Sequence, residues 1–228
     1  MTNPVALIVG AGSGLSASVA RALAADGYRV VLAARNTDKL SALCDETGAR
    51  SISCDATSAE SVSHLFARMQ RETGKASMVL YNPSAYTRGA IDELDPDTVH
   101  ACLMQTVFGA FLVAQQAAIA MKAMGGGALF FTGATASVKG FPKFSSFAMG
   151  KFALRGLAQS LARELGPLGI HVAHFIIDGG IASDRHPQTD THAMLEPDAI
   201  AQTYLDVLRQ HRSAWTHEID LRPWGERF

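Results

Sequence analysis

The chain has 228 residues, of which 48% are hydrophobic and 18% charged, enough apolar material for one sizeable core and a single domain. A formal net charge of -1 offers no basic stripe for nucleic acid, and the longest apolar runs are too short to predict a bilayer span. Cys44, Cys54 and Cys102 form no C-x-x-C pair and no positive leader precedes the first apolar run, which argues against a zinc or disulfide framework and makes a reducing cytoplasm the expectation.

Strand-like and helix-like patterns alternate along the chain. Val5–Val9 is a continuous apolar run, as expected for a strand buried on both faces of a parallel sheet. Helix-forming residues follow over Leu15–Ala25 and stop before Gly27. Arg29–Ala34 reads as strand, 37–47 as helix, 50–54 as strand, 58–73 as helix and Met78–Tyr81 as a fourth strand. The long helix Pro96–Met124 has Asp95 at its N-cap and Pro96 at its first position, and Gly125-Gly126-Gly127 ends it. Strand 128–132, helix Ser145–Leu165 and strand Ile170–Ile177 come next. Residues 178–196 are polar and irregular, and helix 197–210 and strand 217–221 close the chain. This order predicts an α/β doubly wound parallel sheet in one domain, with ligands at the carboxyl ends of its strands.

The turn Val9-Gly10-Ala11-Gly12-Ser13-Gly14-Leu15 joins the first strand to the first helix. Its glycines let backbone approach a pyrophosphate, and the helix start offers unpaired N–H groups and a partial positive charge. The literal G-x-G-x-x-G is not met, because Leu15 holds the third glycine's place. At the end of the second strand, Ala34 stands where a carboxylate would bond the adenosine ribose, and Arg35 follows. A guanidinium forks well onto a phosphate, so NADP(H) is expected over NAD(H).

These segments, with Phe147-Ala148-Met149-Gly150-Lys151 on the helix after the fifth strand, resemble the short-chain dehydrogenase/reductase family over nearly the whole chain. The resemblance implies a Rossmann fold with cofactor contacts from Gly10, Gly12, Ser13, Gly14 and Leu15. Against the family pattern T-G-x-x-x-G-x-G, Val9 stands at the threonine and Ser16 at the last glycine. The resemblance further implies Asp55 and Ala56 at the adenine, Asn82 near the ribose and Lys151 on the nicotinamide ribose. Gly179, Ile181 and Ser183 would hold the nicotinamide carboxamide and a phosphate. Pro83 and Ser84 replace the family's Ala-Gly after Asn82, and Asp178 replaces a proline.

The same resemblance makes the reaction centre unusual. The family's catalytic tyrosine maps to Phe147, its serine to Ala134 and its relay asparagine to Thr106; the tyrosine of the enoyl-reducing branch maps to Phe144. A positioned general acid contributes about 10² to 10⁴ in rate, so an ordinary carbonyl reductase would be badly impaired. Three groups are candidates to substitute: Tyr86 on the loop after the fourth strand, Thr135 beside Ala134, and Lys151 through a water. Ser145 and Ser146 read as helix caps, and Lys139 and Lys143 as exposed. His171 and His174 are three apart on a strand and point to opposite faces, so they make no metal site, and His186 and His192 lie in the irregular stretch.

Two functions are compatible with this pattern. One is an NADP(H)-dependent oxidoreductase acting on a small carbonyl, enone or related substrate. The other is a non-catalytic dinucleotide-binding protein serving as redox sensor or scaffold. The resemblance also implies a homodimer or homotetramer that pairs the two long helices, with the tail residues Trp224 and Phe228 packing on a neighbour.

Overall fold

The computed structural model describes residues 3–183 and 194–225; His186, His192 and Phe228 lie outside them. In chain order the strands are β1 (Val5–Val9), β2 (Arg29–Ala34), β3 (Arg50–Ser53), β4 (Met78–Tyr81), β5 (Gly127–Thr132), β6 (Ile170–Ile177), β7 (Gly180–Ile181), β8 (Met194–Leu195) and β9 (Glu218–Leu221). The helices are α1 (Leu15–Ala25), α2 (Ser41–Thr47), α3 (Ala59–Glu72), α4 (Pro96–Leu103), α5 (Gly109–Met124), α6 (Ser145–Leu165) and α7 (Pro197–Leu208).

Seven strands form one parallel sheet in the order β3-β2-β1-β4-β5-β6-β9, and its order reverses between β1 and β4. Alternate residues of each strand face opposite layers. Val5, Leu7 and Val9 of β1 pack with α3, α5 and α6, whereas Ala6 and Ile8 pack with α1 and α7. A strand covered on both sides has no solvent face to mark with polar residues, and all five residues of β1 are buried.

Several expected boundaries move. The helix expected at 37–47 begins as a 3₁₀ turn, Asp38–Leu40, because the Asn36 side chain accepts the Asp38 N–H and tightens the chain there. Ser58 caps α3 by accepting the Ser61 N–H, and Asp95 caps α4 by accepting the Thr98 N–H. The long helix is continuous but contains a π-turn, Met104–Phe108. It has the length and apolarity of a membrane span, yet Ala110, Val113, Ala114, Ala117 and Met121 are buried against the sheet. The stretch expected to be irregular contains a short parallel ladder, with Gly180 opposite Met194 and Ile181 opposite Leu195.

Candidate active site

The carboxyl ends of β1, β2 and β3 open into a cavity of about 450 Å³. Gly10, Arg35, Asp55, Ala56 and Asn82 all line it. Gly10 adopts φ +81°, and a Cβ there would lie 2.7 Å from the Pro83 ring, so this glycine serves the fold. Gly12 and Gly14 differ. A Cβ on either would meet nothing within 4 Å, so no protein contact explains the missing side chains. The space in front of them suits a ligand that must touch backbone. Ser13 is exposed at the tip, while the Leu15 side chain is buried in the core, leaving only its backbone at the head of α1. Ser16, at the family's last glycine, accepts the Gly12 N–H at 2.9 Å and closes the turn from below.

Arg35 is exposed at the cavity wall with Lys39 nearby, and its guanidinium makes no ion pair among the described residues. Asp55 does not cap α3; its Oδ1 accepts the Thr57 N–H and hydroxyl at 2.9 and 2.8 Å. Those bonds, with a smaller effect of Arg35, hold its carboxyl below the usual range. Asn82 donates its N–H to the Val9 carbonyl, which aligns the end of β4 with the glycine turn. The exposed Arg35 guanidinium on the cavity wall, without an ion pair among the described residues, and the uncovered backbone of Gly12 and Gly14 in the turn before α1 are groups that fit dinucleotide phosphates.

The reaction half follows β4, β5 and β6. Lys151 is 2% exposed and donates to the Thr132 carbonyl at 2.7 Å. Burial lowers its pKa to about 7. Its ammonium lies 6.0 Å from the centre of the Phe147 ring. Tyr86 comes to this place from a different loop. Its ring stands 5.2 Å from Phe147 and 5.8 Å from Phe144. Thr135 donates its hydroxyl to Asp178 at 2.5 Å, and Asp178 also faces Arg222 at 3.3 Å. That hydroxyl has one proton and has spent it, so toward a ligand Thr135 can only accept. Thr106, inside the π-turn, is likewise engaged with the N–H and carbonyl of Ala85, at 3.2 and 3.3 Å. Gly179, at φ +149°, Ile181 in β7 and Ser183 follow β6 at the same end of the sheet.

Two features escape a linear reading. Ser146 is not a cap; its hydroxyl accepts the Thr87 N–H at 3.0 Å and donates to the Thr87 carbonyl at 2.8 Å, tying the Tyr86 loop to α6. Beneath the Ala134 turn runs a buried polar chain. The Ala134 N–H donates to Ser137 Oγ, which meets His174 Nε2 at 3.3 Å, and His174 Nδ1 meets Glu218 at 3.2 Å. Burial lowers the His174 pKa to about 4, so the ring is neutral: Nδ1–H donates to Glu218 and Nε2 accepts from Ser137. Arg155 forks onto Glu218 with two bonds of 2.7 Å. His171 points to the other face of β6 and stacks on Trp215, as its spacing predicts.

Comparison with known proteins agrees with this fold. The family model for short chain dehydrogenases matches residues 4–192. An uncharacterized oxidoreductase of Staphylococcus aureus (strain MRSA252) is 28% identical over 98% of each chain. The crystal structure of a short-chain dehydrogenase from Rhodopseudomonas palustris is 34% identical, with a TM-score of 0.84 over 97% of this chain and 99% of that one. An alcohol dehydrogenase from Thermococcus sibiricus, solved with 5-hydroxy-NADP, is 26% identical, with a TM-score of 0.85 over 98% of each chain.

Proposed function

Since the chain belongs to the short-chain dehydrogenase family, we propose that it is an NADP(H)-dependent oxidoreductase whose substrate is a small carbonyl, enone or related compound. The observation that carries the cofactor choice is the exposed Arg35 guanidinium, without an ion pair among the described residues, on the wall of the cavity at the ends of β1, β2 and β3. No carboxylate stands at Ala34 to repel a 2′-phosphate there. Bound NADPH would supply the hydride.

This chain's own residues do the rest. Gly12 and Gly14 admit the pyrophosphate, Arg35 takes the 2′-phosphate, and Asp55 and Asn82 border the adenosine. Lys151 turns spare ammonium protons toward the nicotinamide ribose while Thr132 holds one of them. Phe147, Phe144 and Tyr86 form an aromatic wall beside the reacting carbon, with the Tyr86 ring, 56% exposed, on its solvent side. Tyr86 is the proton donor, because among the described residues its hydroxyl makes no hydrogen bond and its ring lies against Phe147. Thr135, its proton on Asp178, acts only as an acceptor. The enzyme works in the cytoplasm as a homodimer or homotetramer that pairs α5 and α6. Phe111, Ile119 and Phe152, exposed on these helices, supply apolar surface for that contact.

The reading is tested by fluorescence titration of NADPH and NADH against the protein and Arg35→Ala. NADPH should bind the parent more tightly, and the substitution should weaken NADPH by about tenfold or more while sparing NADH. Equal weakening of both would remove Arg35 from the phosphate. Failure of the parent to bind either would sink the oxidoreductase reading and favour the scaffold, the alternative that the missing family acid already makes reasonable.

A further inference from the structure

We propose that the acceptor is an apolar molecule bearing an anionic group, and that Arg88, at the outer end of the Phe147–Tyr86–Phe144 wall, recognises this group. The inference rests on the hydride-transfer reading above and adds the chemical class of the substrate.

The aromatic wall has two ends. At the inner end Lys151 approaches Phe147. From Phe147 the wall passes through Tyr86 to Phe144, with ring centres 5.2 and 5.8 Å apart at each step. At the outer end the Arg88 guanidinium lies 5.0 Å from the centre of the Phe144 ring. Ring faces suit a hydrocarbon body, and the cation stacked on the last ring has its edge left for a partner. Arg88 forms no ion pair among the described residues. The carboxylates of its own loop do not neutralise it: Glu93 accepts the Ala90 N–H, and Asp92 makes no ion pair among the described residues. Lys139 and Lys143 on the facing loop add positive charge, and Lys139 is itself stacked 5.2 Å from Phe141.

Arg88 is also held more firmly than an ordinary surface arginine. Thr87 before it is bonded through both backbone groups to Ser146. Gly89 after it donates its N–H to the Lys143 carbonyl at 3.2 Å. Lys143 in turn is the one described non-glycine residue at positive φ, 67°. A strained backbone persists only where its surroundings over-determine it. Here the strained residue presents the carbonyl that fixes the arginine loop. A guanidinium with pinned neighbours, open edge and apolar ring beneath it matches a carboxylate on a ring or chain.

The test compares 4-formylbenzoate with benzaldehyde, aldehydes of one ring that differ by a carboxylate. NADPH oxidation is followed with the full chain and with Arg88→Ala and Arg88→Lys, alongside NADPH binding on the same samples. The expected result is a preference for the charged aldehyde of about tenfold in kcat/KM, expressed in KM, that falls toward unity in Arg88→Ala, is partly kept in Arg88→Lys and shrinks with added salt. Equal use of both aldehydes, or a preference that survives Arg88→Ala, overturns the inference and leaves the hydride-transfer reading intact. If NADPH binds but neither aldehyde turns over, benzoate is titrated against the NADPH-loaded protein. Binding to the parent and about tenfold weaker binding to Arg88→Ala supports the anion site; no binding, or equal binding, overturns it. If NADPH itself does not bind, both readings fall together.

Discussion

The two halves of the strand ends are built from different materials. Around β1, β2 and β3 the site is mostly backbone: bare glycines, a helix start and the N–H that joins Asn82 to Val9. Around β4, β5 and β6 it is mostly side chains: Phe147, Ala134, Thr106, Lys151 and Asp178. Backbone sites absorb substitution, so Ser16 stands in a glycine place and the turn still closes. Side-chain sites do not: on the family resemblance, Phe147, Ala134 and Thr106 stand where an acid, an oxyanion donor and a relay group are expected. On the proposed function, binding and chemistry would therefore be separable in this chain.

The sharpest way to break that contrast is to return the missing groups. In Phe147→Tyr combined with Ala134→Ser, the phenol enters beside the Lys151 ammonium, which favours its ionised form. Carbonyl reduction should rise by about 10² or more, read as steady-state NADPH oxidation with simple ketones. No gain with NADPH binding intact would mean that the two halves differ in shape as well as in reacting groups. The Thr135–Asp178–Arg222 cluster would then be the place to look.

Legibility follows the same division. β1, β2, β4, β6, α1 and α6 begin and end where the apolar runs and helix formers do, because a doubly covered strand writes its extent in consecutive residues. The glycine turn is local in the same way. The π-turn leaves no such mark. Its cause is a contact across the fold, the Tyr81 hydroxyl donating to the Gln105 carbonyl at 2.5 Å, with Gly109 letting Tyr81 approach. The Ser137–His174–Glu218 chain joins residues 37 and 44 positions apart, and no spacing rule reaches that far. Tyr86 could be placed at the right end of the sheet by loop position, but its stacking on Phe147 depends on the Ser146 bond that read locally as a cap.

Within the binding half, the glycines should separate by role. Gly10→Ala forces a Cβ to 2.7 Å from Pro83 at positive φ, and should cost about 3 kcal/mol, a fall in Tm of about 8 °C. Gly12→Ala has open space around it and should leave Tm nearly unchanged while weakening NADPH. Thermal melts with and without NADPH read both. If Gly12→Ala lowered Tm as much as Gly10→Ala, the space before it would belong to the fold, and the backbone account of the binding half would fail.

The smallest effect concerns the one group that both halves share. Lys151 titrates at about 7 in the folded protein against an ordinary 10.5, with burial the cause. Between those values the unfolded chain binds more protons, so stability rises with pH across the window; below about 7 both states are charged and the cost of burying the ammonium stands in full. One proton bounds the slope at about 1.4 kcal/mol per pH unit. His174, lowered to about 4 from 6.5, acts only on the acid side of this range. Burial holds the thiols of Cys54 and Cys102 above 9.0, which makes stability fall with rising pH beyond that point. The clean interval is therefore pH 7 to about 8.5. Urea melts of the protein without nucleotide should show a midpoint that climbs through this interval and a flatter profile in Lys151→Met. Adding NADPH should flatten the parent as well, because phosphate and ribose oxygens then favour the charged lysine that burial alone opposes. A parent profile that is already flat would mean that the ammonium is solvated in the free protein, and that Lys151 belongs to the binding half before any nucleotide arrives.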